Sequence, residues 1–264
     1  SSVHDFTVST SLGVNHSGLT SGTVTISSDV FYNNAGGHYV NAVMSGAGYT
    51  LNGNLAILTT SSGGAWYGFQ LLDVSGTFTN NSVSGSAGQG FYLNEAAALG
   101  TFSGNTAHSN ASVGIHLNSS PTGVSTMTNT IAWRNSLDAI RLQGNFVQGN
   151  ALIIDGLVAF GNLGQQILSN GVIRPSSTYP GLWIKTAVLS GDTTFSSTHG
   201  IVFNGDNTGV RIDNSTFGVV AGIKTAFTTA DIYGPASFAY LNVVGGDTIL
   251  ASATPVSGTG NVAT

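Results

Sequence analysis

A repeat in the middle of the chain limits the possible folds more than any other feature. Large apolar residues recur 24, 25 and 27 residues apart, at Phe78, Phe102, Met127 and Ile154. Eight residues after each of them stands a small polar residue, and this second set is Ser86, Asn110, Asn135 and Asn162. Repeats of this length are typical of solenoids, in which each repeat forms one coil and neighbouring coils bury a shared core.

The residue types within a repeat predict strands joined by tight bends. Apolar residues come in pairs separated by one residue, such as Phe91 and Leu93 or Ile115 and Leu117, which is the period of a strand. Gly, Ser, Asn and Thr, which favour turns, separate these pairs. We therefore predict an all-β, single-stranded parallel β-helix of about eight to ten coils, each of roughly 22–27 residues. We expect it to be right-handed, because parallel crossover connections nearly always are.

The recurring positions predict two internal features of the solenoid. Phe78, Phe102, Met127 and Ile154 should form one stack inside it. Asn110, Asn135 and Asn162 should form a ladder at an inward bend, where stacked amides hydrogen-bond along the axis.

The chain is predicted to be one domain, residues 1–264, without an internal boundary. We expect residues 1–30 to form an N-terminal cap, residues 31–225 the coils, and residues 226–264 a C-terminal coil and tail. A cap is expected because the terminal coil of a solenoid exposes an unpaired strand edge.

Composition favours an ordered protein outside the cytoplasm. Only 6% of residues are charged, whereas 41% are hydrophobic and recur in register, which argues against disorder. Residues 1–133 contain no Lys or Arg, so nucleic acid is not expected as a partner. No apolar run approaches the roughly 20 residues of a membrane span. We expect an extracellular or cell-surface protein that begins at a processed mature end without a signal peptide.

Three central segments resemble a known family of repeats. They are GGAWYGF (63–69), GQGFYL (88–93) and GTFSGNTAHSNASVGIHL (100–117). Over about residues 63–118 they are similar to the β-helix repeats of the fibrocystin-like and cell-surface hyaluronidase family. The resemblance implies an extracellular β-helix and, in some members, action on hyaluronan. It maps no catalytic residue of the family onto this chain.

Strand alternation predicts a row of outward side chains. If Phe91 and Leu93 point inward, Tyr92 points outward. The same logic exposes Gln70 and the four further residues His116, Arg141, Trp183 and Lys224. Stacked strands lie about 4.7–4.9 Å apart, so these side chains would line one face. Aromatic and cationic groups in a row suit an extended glycan; the alternative is an exposed row without a ligand.

Other polar residues receive structural interpretations. His108 aligns with Trp133 and Phe160, so it is interpreted as a packed histidine. No second His or carboxylate lies at ligand spacing in its coil, and neither a metal site nor a cofactor is expected. Asp155 is interpreted as a bend residue, and Asp138 as the partner of Arg141.

Two functions remain open from the sequence. The first is a structural solenoid that assembles head to tail into filaments or a surface layer, with other copies of itself as partners. Its polar, uncharged tail at 251–264 would pack against another copy. The alternative is a protein that binds or degrades extracellular polysaccharide, as a hydrolase or lyase. Acidic residues number only eleven, and no facing pair is evident, so we expect that the protein is not an enzyme.

Overall fold

The computed structural model contains only β-strands as regular elements within the part of the chain that it describes. The described residues are 2–4, 12–17, 23–32, 36–41, 48–57, 67–72, 76–94, 99–118, 123–146, 150–174, 180–191, 199–204, 207–217, 219–220, 223–224, 230–233 and 236–244. Among them no helix is long and apolar enough to cross a membrane. The tail at 251–264, which carries the predicted assembly contact, lies outside the described residues.

The strands are short and follow one another closely along the chain. They are β1 (Ser2–His4), β2 (Leu12–Ser17), β3 (Thr23–Ser27), β4 (Val30–Tyr32), β5 (Gly36–Asn41), β6 (Gly48–Asn52), β7 (Leu55–Ile57), β8 (Tyr67–Leu72), β9 (Gly76–Thr79), β10 (Ser82–Ser84), β11 (Gln89–Asn94), β12 (Thr101–Ser103), β13 (Thr106–His108), β14 (Ile115–Leu117), β15 (Val124–Thr128), β16 (Ile131–Trp133), β17 (Ile140–Leu142), β18 (Ala151–Asp155), β19 (Val158–Phe160), β20 (Ile167–Ser169), β21 (Leu182–Lys185), β22 (Val188–Ser190), β23 (His199–Phe203), β24 (Asn207–Phe217), β25 (Val219–Val220), β26 (Ile223–Lys224), β27 (Ala230–Tyr233) and β28 (Ala236–Val244).

The strands stack in parallel, one coil upon the next. Each central coil contributes three strands, and every third strand pairs, as β9 with β12 and β12 with β15. The third strands of the coils form a nine-stranded sheet, while the first and second strands belong to a 17-stranded sheet. Only β25 and β26 pair antiparallel among the described strands. The predicted parallel β-solenoid is therefore confirmed.

The predicted internal stack is present at the first strand of each coil. Phe78 pairs with Phe102, Phe102 with Met127, and Met127 with Ile154. All four side chains are buried. The stack is stabilised by burial of like side chains on like, because the constant register places each apolar residue directly above its counterpart in the previous coil.

The predicted asparagine ladder is confirmed at the bend between the second and third strands. The Nδ2 group of Asn110 donates to Oδ1 of Asn135 at 2.9 Å, and Nδ2 of Asn135 donates to Oδ1 of Asn162 at 2.8 Å. The backbone N–H of Ser86 donates to Oδ1 of Asn110 at 3.0 Å. These amides are fully buried, so the ladder satisfies groups that water cannot reach.

A second ladder, which the sequence analysis missed, lies at the bend between the first and second strands. The Nδ2 group of Asn54 donates to Oδ1 of Asn81 at 2.9 Å, and Nδ2 of Asn81 donates to Oδ1 of Asn105 at 3.0 Å. At this bend the chain turns through a residue with a positive φ, which precedes the ladder asparagine in the three coils that have one. In eight successive coils these turning residues are Ser28, Gly53, Asn80, Gly104, Asn129, Gly156, Thr186 and Asn214. Gly and Asn are frequent there because they tolerate this backbone conformation best.

Candidate binding surface

The structure brings together three members of the predicted glycan-binding row. Tyr92 pairs with His116 on the neighbouring third strand, and His116 pairs with Arg141 on the next. Gln70 precedes them, opposite Tyr92. The next position in the row is Leu168, an apolar residue. Tyr39 lies opposite Gln70 on the other side, so the polar row continues through these coils and ends at Leu168.

The prediction that Trp183 and Lys224 belong to the same row is wrong. Trp183 lies on β21, a first strand of the 17-stranded sheet, and pairs with Ile153. Lys224 lies on β26, which pairs antiparallel with β25. The error has a physical reason, because alternating apolar residues mark every strand of a coil equally. The pattern identifies a strand without showing which of the three positions it occupies.

His116 is buried, with 6% of its surface exposed, so the prediction that it is exposed is also wrong. The ring of Tyr92 covers it in an edge-to-face contact at 5.2 Å, and its Nε2 group donates to Oε1 of Gln143. Its Nδ1 atom is buried and has no hydrogen-bond partner among the described residues. Burial lowers the pKa of His116, and the Arg141 charge acts in the same direction, whereas the bond to Gln143 opposes them.

Arg141 and Tyr92, which flank His116 on this surface, already contact neighbouring side chains. Arg141 forms an ion pair with Asp138 at 2.7 Å, which confirms the predicted partnership. The other oxygen of Asp138 accepts the backbone N–H of Gln165 at 3.0 Å. The ring of Tyr92 stacks on that of Tyr67 with centroids 4.7 Å apart. The ring face of Tyr92 that touches Tyr67 is therefore not free to stack on a sugar.

A separate cluster surrounds Trp183 on the outer face of the 17-stranded sheet. The indole Nε1 donates to Oδ2 of Asp213 at 2.7 Å, and the Arg211 guanidinium lies 4.4 Å from the ring centroid. The Lys185 ammonium lies 4.7 Å from the same centroid and forms an ion pair with Asp155 at 3.1 Å. Cations therefore contact the ring that was predicted to bind a glycan. The sequence analysis missed this cluster because it assigned Trp183 to a third strand, whereas the residue lies on a first strand.

Asp155 is a strand residue and not the predicted bend residue. It ends β18, faces outward, and accepts the hydroxyl of Thr186 at 2.6 Å besides pairing with Lys185. Although partial burial alone would raise its pKa, the bonds from Thr186 and Lys185 hold it below the usual value. The carboxylate is therefore bound to two neighbours, and it faces no second carboxylate among them.

His108 is packed as the sequence predicted. Its ring stacks on Trp133 with centroids 4.6 Å apart, and Trp133 stacks on Phe160 at 5.7 Å. Its Nδ1 atom lies 3.2 Å from the Ser109 hydroxyl, and partial burial lowers its pKa. Because Trp133 lies between two rings, both of its faces are covered.

This architecture defines the class as a parallel β-solenoid with repeated internal ladders. The chain belongs to the family described as periplasmic copper-binding protein (NosD), whose model matches residues 5–139, just over half of the chain. No curated protein and no solved structure matches the chain. The prediction of a β-helix repeat protein outside the cytoplasm agrees with this family. The resemblance to the fibrocystin-like and hyaluronidase repeats stays a prediction.

Proposed function

We propose that this protein is a structural β-solenoid of the cell envelope that assembles head to tail through its two terminal coils. The proposal rests on the register of the first strands. Thr25 on β3 begins a series of paired residues that runs through each coil to Tyr240 on β28. A second copy can continue this series, because the last strand of one molecule and the first strand of the next have the same direction and register.

The described terminal strands contain few of the residues that usually discourage edge pairing, although the pairing of β28 with β24 includes register shifts. Among the described strands, β3 pairs only with β6, and β28 pairs only with β24. Five terminal strands, β1, β2, β3, β27 and β28, contain no Lys, Glu or Pro and only one charged residue, Asp231. Such edges favour association with another chain. A contact between different surfaces, repeated without closure, produces a filament.

The backbone of β3 offers groups that such a contact could use. In β18 the N–H of Ala151 donates to the preceding coil, and the N–H of Leu152 donates to the following coil. Backbone N–H groups point to alternate sides along a strand, so Ile153, two residues after Ala151, directs its N–H to the same side as Ala151. Thr25 stands in register with Ile153 and therefore also directs its N–H toward the preceding side. Its N–H therefore points toward the side of β3 that has no described partner strand.

Sedimentation velocity on the full chain tests the proposal. The wild-type protein should form particles that grow with concentration. Thr25→Pro removes the edge N–H and should give monomers with an unchanged thermal midpoint, whereas the matched control Thr25→Val keeps that N–H and should assemble. A wild-type protein that stays monomeric at high concentration, or a Thr25→Pro variant that still assembles, contradicts the proposal.

A second candidate function is glycan binding at the surface formed by Tyr92 and Arg141, on either side of the buried His116. The contiguity of these residues on paired strands supports it. Tyr92→Ala should weaken binding to a polysaccharide panel while the inward core stays intact. Unchanged affinity, or no binding by the wild-type protein, contradicts this candidate.

Copper binding does not fit the side chains that the structure describes. The chain has no Cys and two Met, and Met127 is buried in the core stack. Copper favours thiolate, thioether and imidazole ligands. Among the described residues no group of three His, Cys, Asp or Glu could hold an ion. No step of the proposed function therefore involves copper.

A further inference from the structure

Five outward threonines form a straight row on the first strands of successive coils. This threonine row consists of Thr25, Thr50, Thr77, Thr101 and Thr126. Its central members Thr77 and Thr101 are exposed. The row ends where Ile153 takes the next position. The threonine row therefore lies in the N-terminal half of the solenoid. Residues 1–133, which include the whole row, contain no Lys or Arg.

A second row of small polar residues accompanies it two positions along each strand. This flanking row consists of Ser27, Asn52, Thr79, Ser103 and Thr128. Neighbours within it bond to each other: the hydroxyl of Thr128 donates to Ser103 at 2.7 Å, and that of Thr79 donates to Asn52 at 2.9 Å. None of the five hydroxyls of the threonine row, by contrast, bonds to a described residue. These hydroxyls are available to solvent or to a ligand.

The two rows form a regular grid of polar groups. Neighbouring strands lie about 4.7–4.9 Å apart, and alternate residues of a strand about 6.6 Å apart. Threonine side chains are restricted at χ1 by their branched Cβ, so their hydroxyls and methyl groups keep fixed positions. The asparagine ladders beneath favour an untwisted sheet, because flat sheets are stabilised by such side-chain ladders. The grid is therefore ordered before any ligand binds.

We propose that the threonine row binds the surface of ice crystals. The grid is neutral, carries hydroxyl and methyl groups, and has two fixed repeats, so it matches a ligand that is itself a periodic lattice of water oxygens. The spacing between neighbouring strands is also close to an oxygen–oxygen repeat of hexagonal ice. Charged groups, which hold disordered hydration shells, are missing from both rows. A crystalline polysaccharide is a poorer match, because neither row contains an aromatic ring that could stack on sugars.

Ice affinity of the full chain tests this inference. The wild-type protein should partition into a slowly growing ice hemisphere and produce thermal hysteresis. Thr77→Tyr places a bulky ring in the centre of the row and should reduce the hysteresis several-fold. The control Ile131→Tyr changes an equally outward position on β16, where 38% of the residue is exposed, and should keep wild-type hysteresis. Circular dichroism and thermal midpoints must show that both variants fold.

The chemistry of the contact is tested at the same position. Thr77→Val keeps the shape and removes the hydroxyl, while Thr77→Ser keeps the hydroxyl and removes the methyl group; both should lower ice affinity less than Thr77→Tyr. Three outcomes overturn the inference: no hysteresis in the wild-type protein, an equal loss in Thr77→Tyr and Ile131→Tyr, or binding to microcrystalline cellulose without binding to ice.

Discussion

Removing the side-chain amide of Asn135, the central member of the ladder formed by Asn110, Asn135 and Asn162, should destabilise the protein strongly. The Asn135 side chain takes part in four hydrogen bonds and is fully buried. It accepts from the backbone and the amide of Asn110, and it donates to the carbonyl of Ala107 and to Asn162. At about 1 kcal/mol net for each bond, Asn135→Ala should cost about 4 kcal/mol, because its former partners stay buried without replacements.

Urea denaturation followed by circular dichroism measures this cost, with Asn170→Ala as the control. Asn170 is exposed and accepts a single bond, from Asn204 at 2.8 Å, so its loss should cost about 1 kcal/mol or less. The midpoint should fall much further for Asn135→Ala than for Asn170→Ala, without a change in slope. Equal shifts for the two variants would refute the claim that the ladder stabilises the solenoid.

Three further perturbations follow from the same structure. Ile140→Asp should cost about 4 kcal/mol or more because it buries an unpaired charge, whereas Ile131→Asp at an exposed position should cost about 1 kcal/mol or less in the same denaturation assay. Because burial lowers the pKa of His116 below 6.5, the imidazole takes up its proton at a higher pH in the unfolded chain than in the folded chain. Stability should therefore decrease as the pH falls through about 6.5, and less steeply in His116→Gln, as thermal midpoints across pH will show. Deletion of residues 251–264 should abolish assembly and leave a folded monomer, and assembly of the truncated chain would exclude the tail from the contact.

The sequence predicts the parts of this fold that depend on a repeated register. The stack at Phe102 and Met127 and the ladder at Asn110 and Asn135 follow from spacing alone, because residues one repeat apart lie directly above one another. The second ladder carried the same signal, since Asn54, Asn81 and Asn105 are 27 and 24 residues apart.

The candidate sites were harder to predict because they depend on which strand of a coil a residue occupies. Trp183 has the same alternating neighbours as Arg141, yet it lies on a first strand while Arg141 lies on a third strand. The burial of His116 depends on the side chains of Tyr92 and Gln143, which come from the two neighbouring coils. No local pattern contains that information.

Cysteine cross-linking between copies tests head-to-tail assembly most directly, because the chain has no cysteine of its own. Thr25→Cys and Tyr240→Cys, combined in one chain, place thiols at the first and last positions of the paired series. Neighbouring strands lie about 4.8 Å apart, which suits a disulfide. Oxidation should produce a series of covalent multimers on a non-reducing gel, while Ser27→Cys with Tyr240→Cys, which is out of register, should produce few. Only monomers from the matched pair, or equal multimers from both pairs, would contradict assembly in this register.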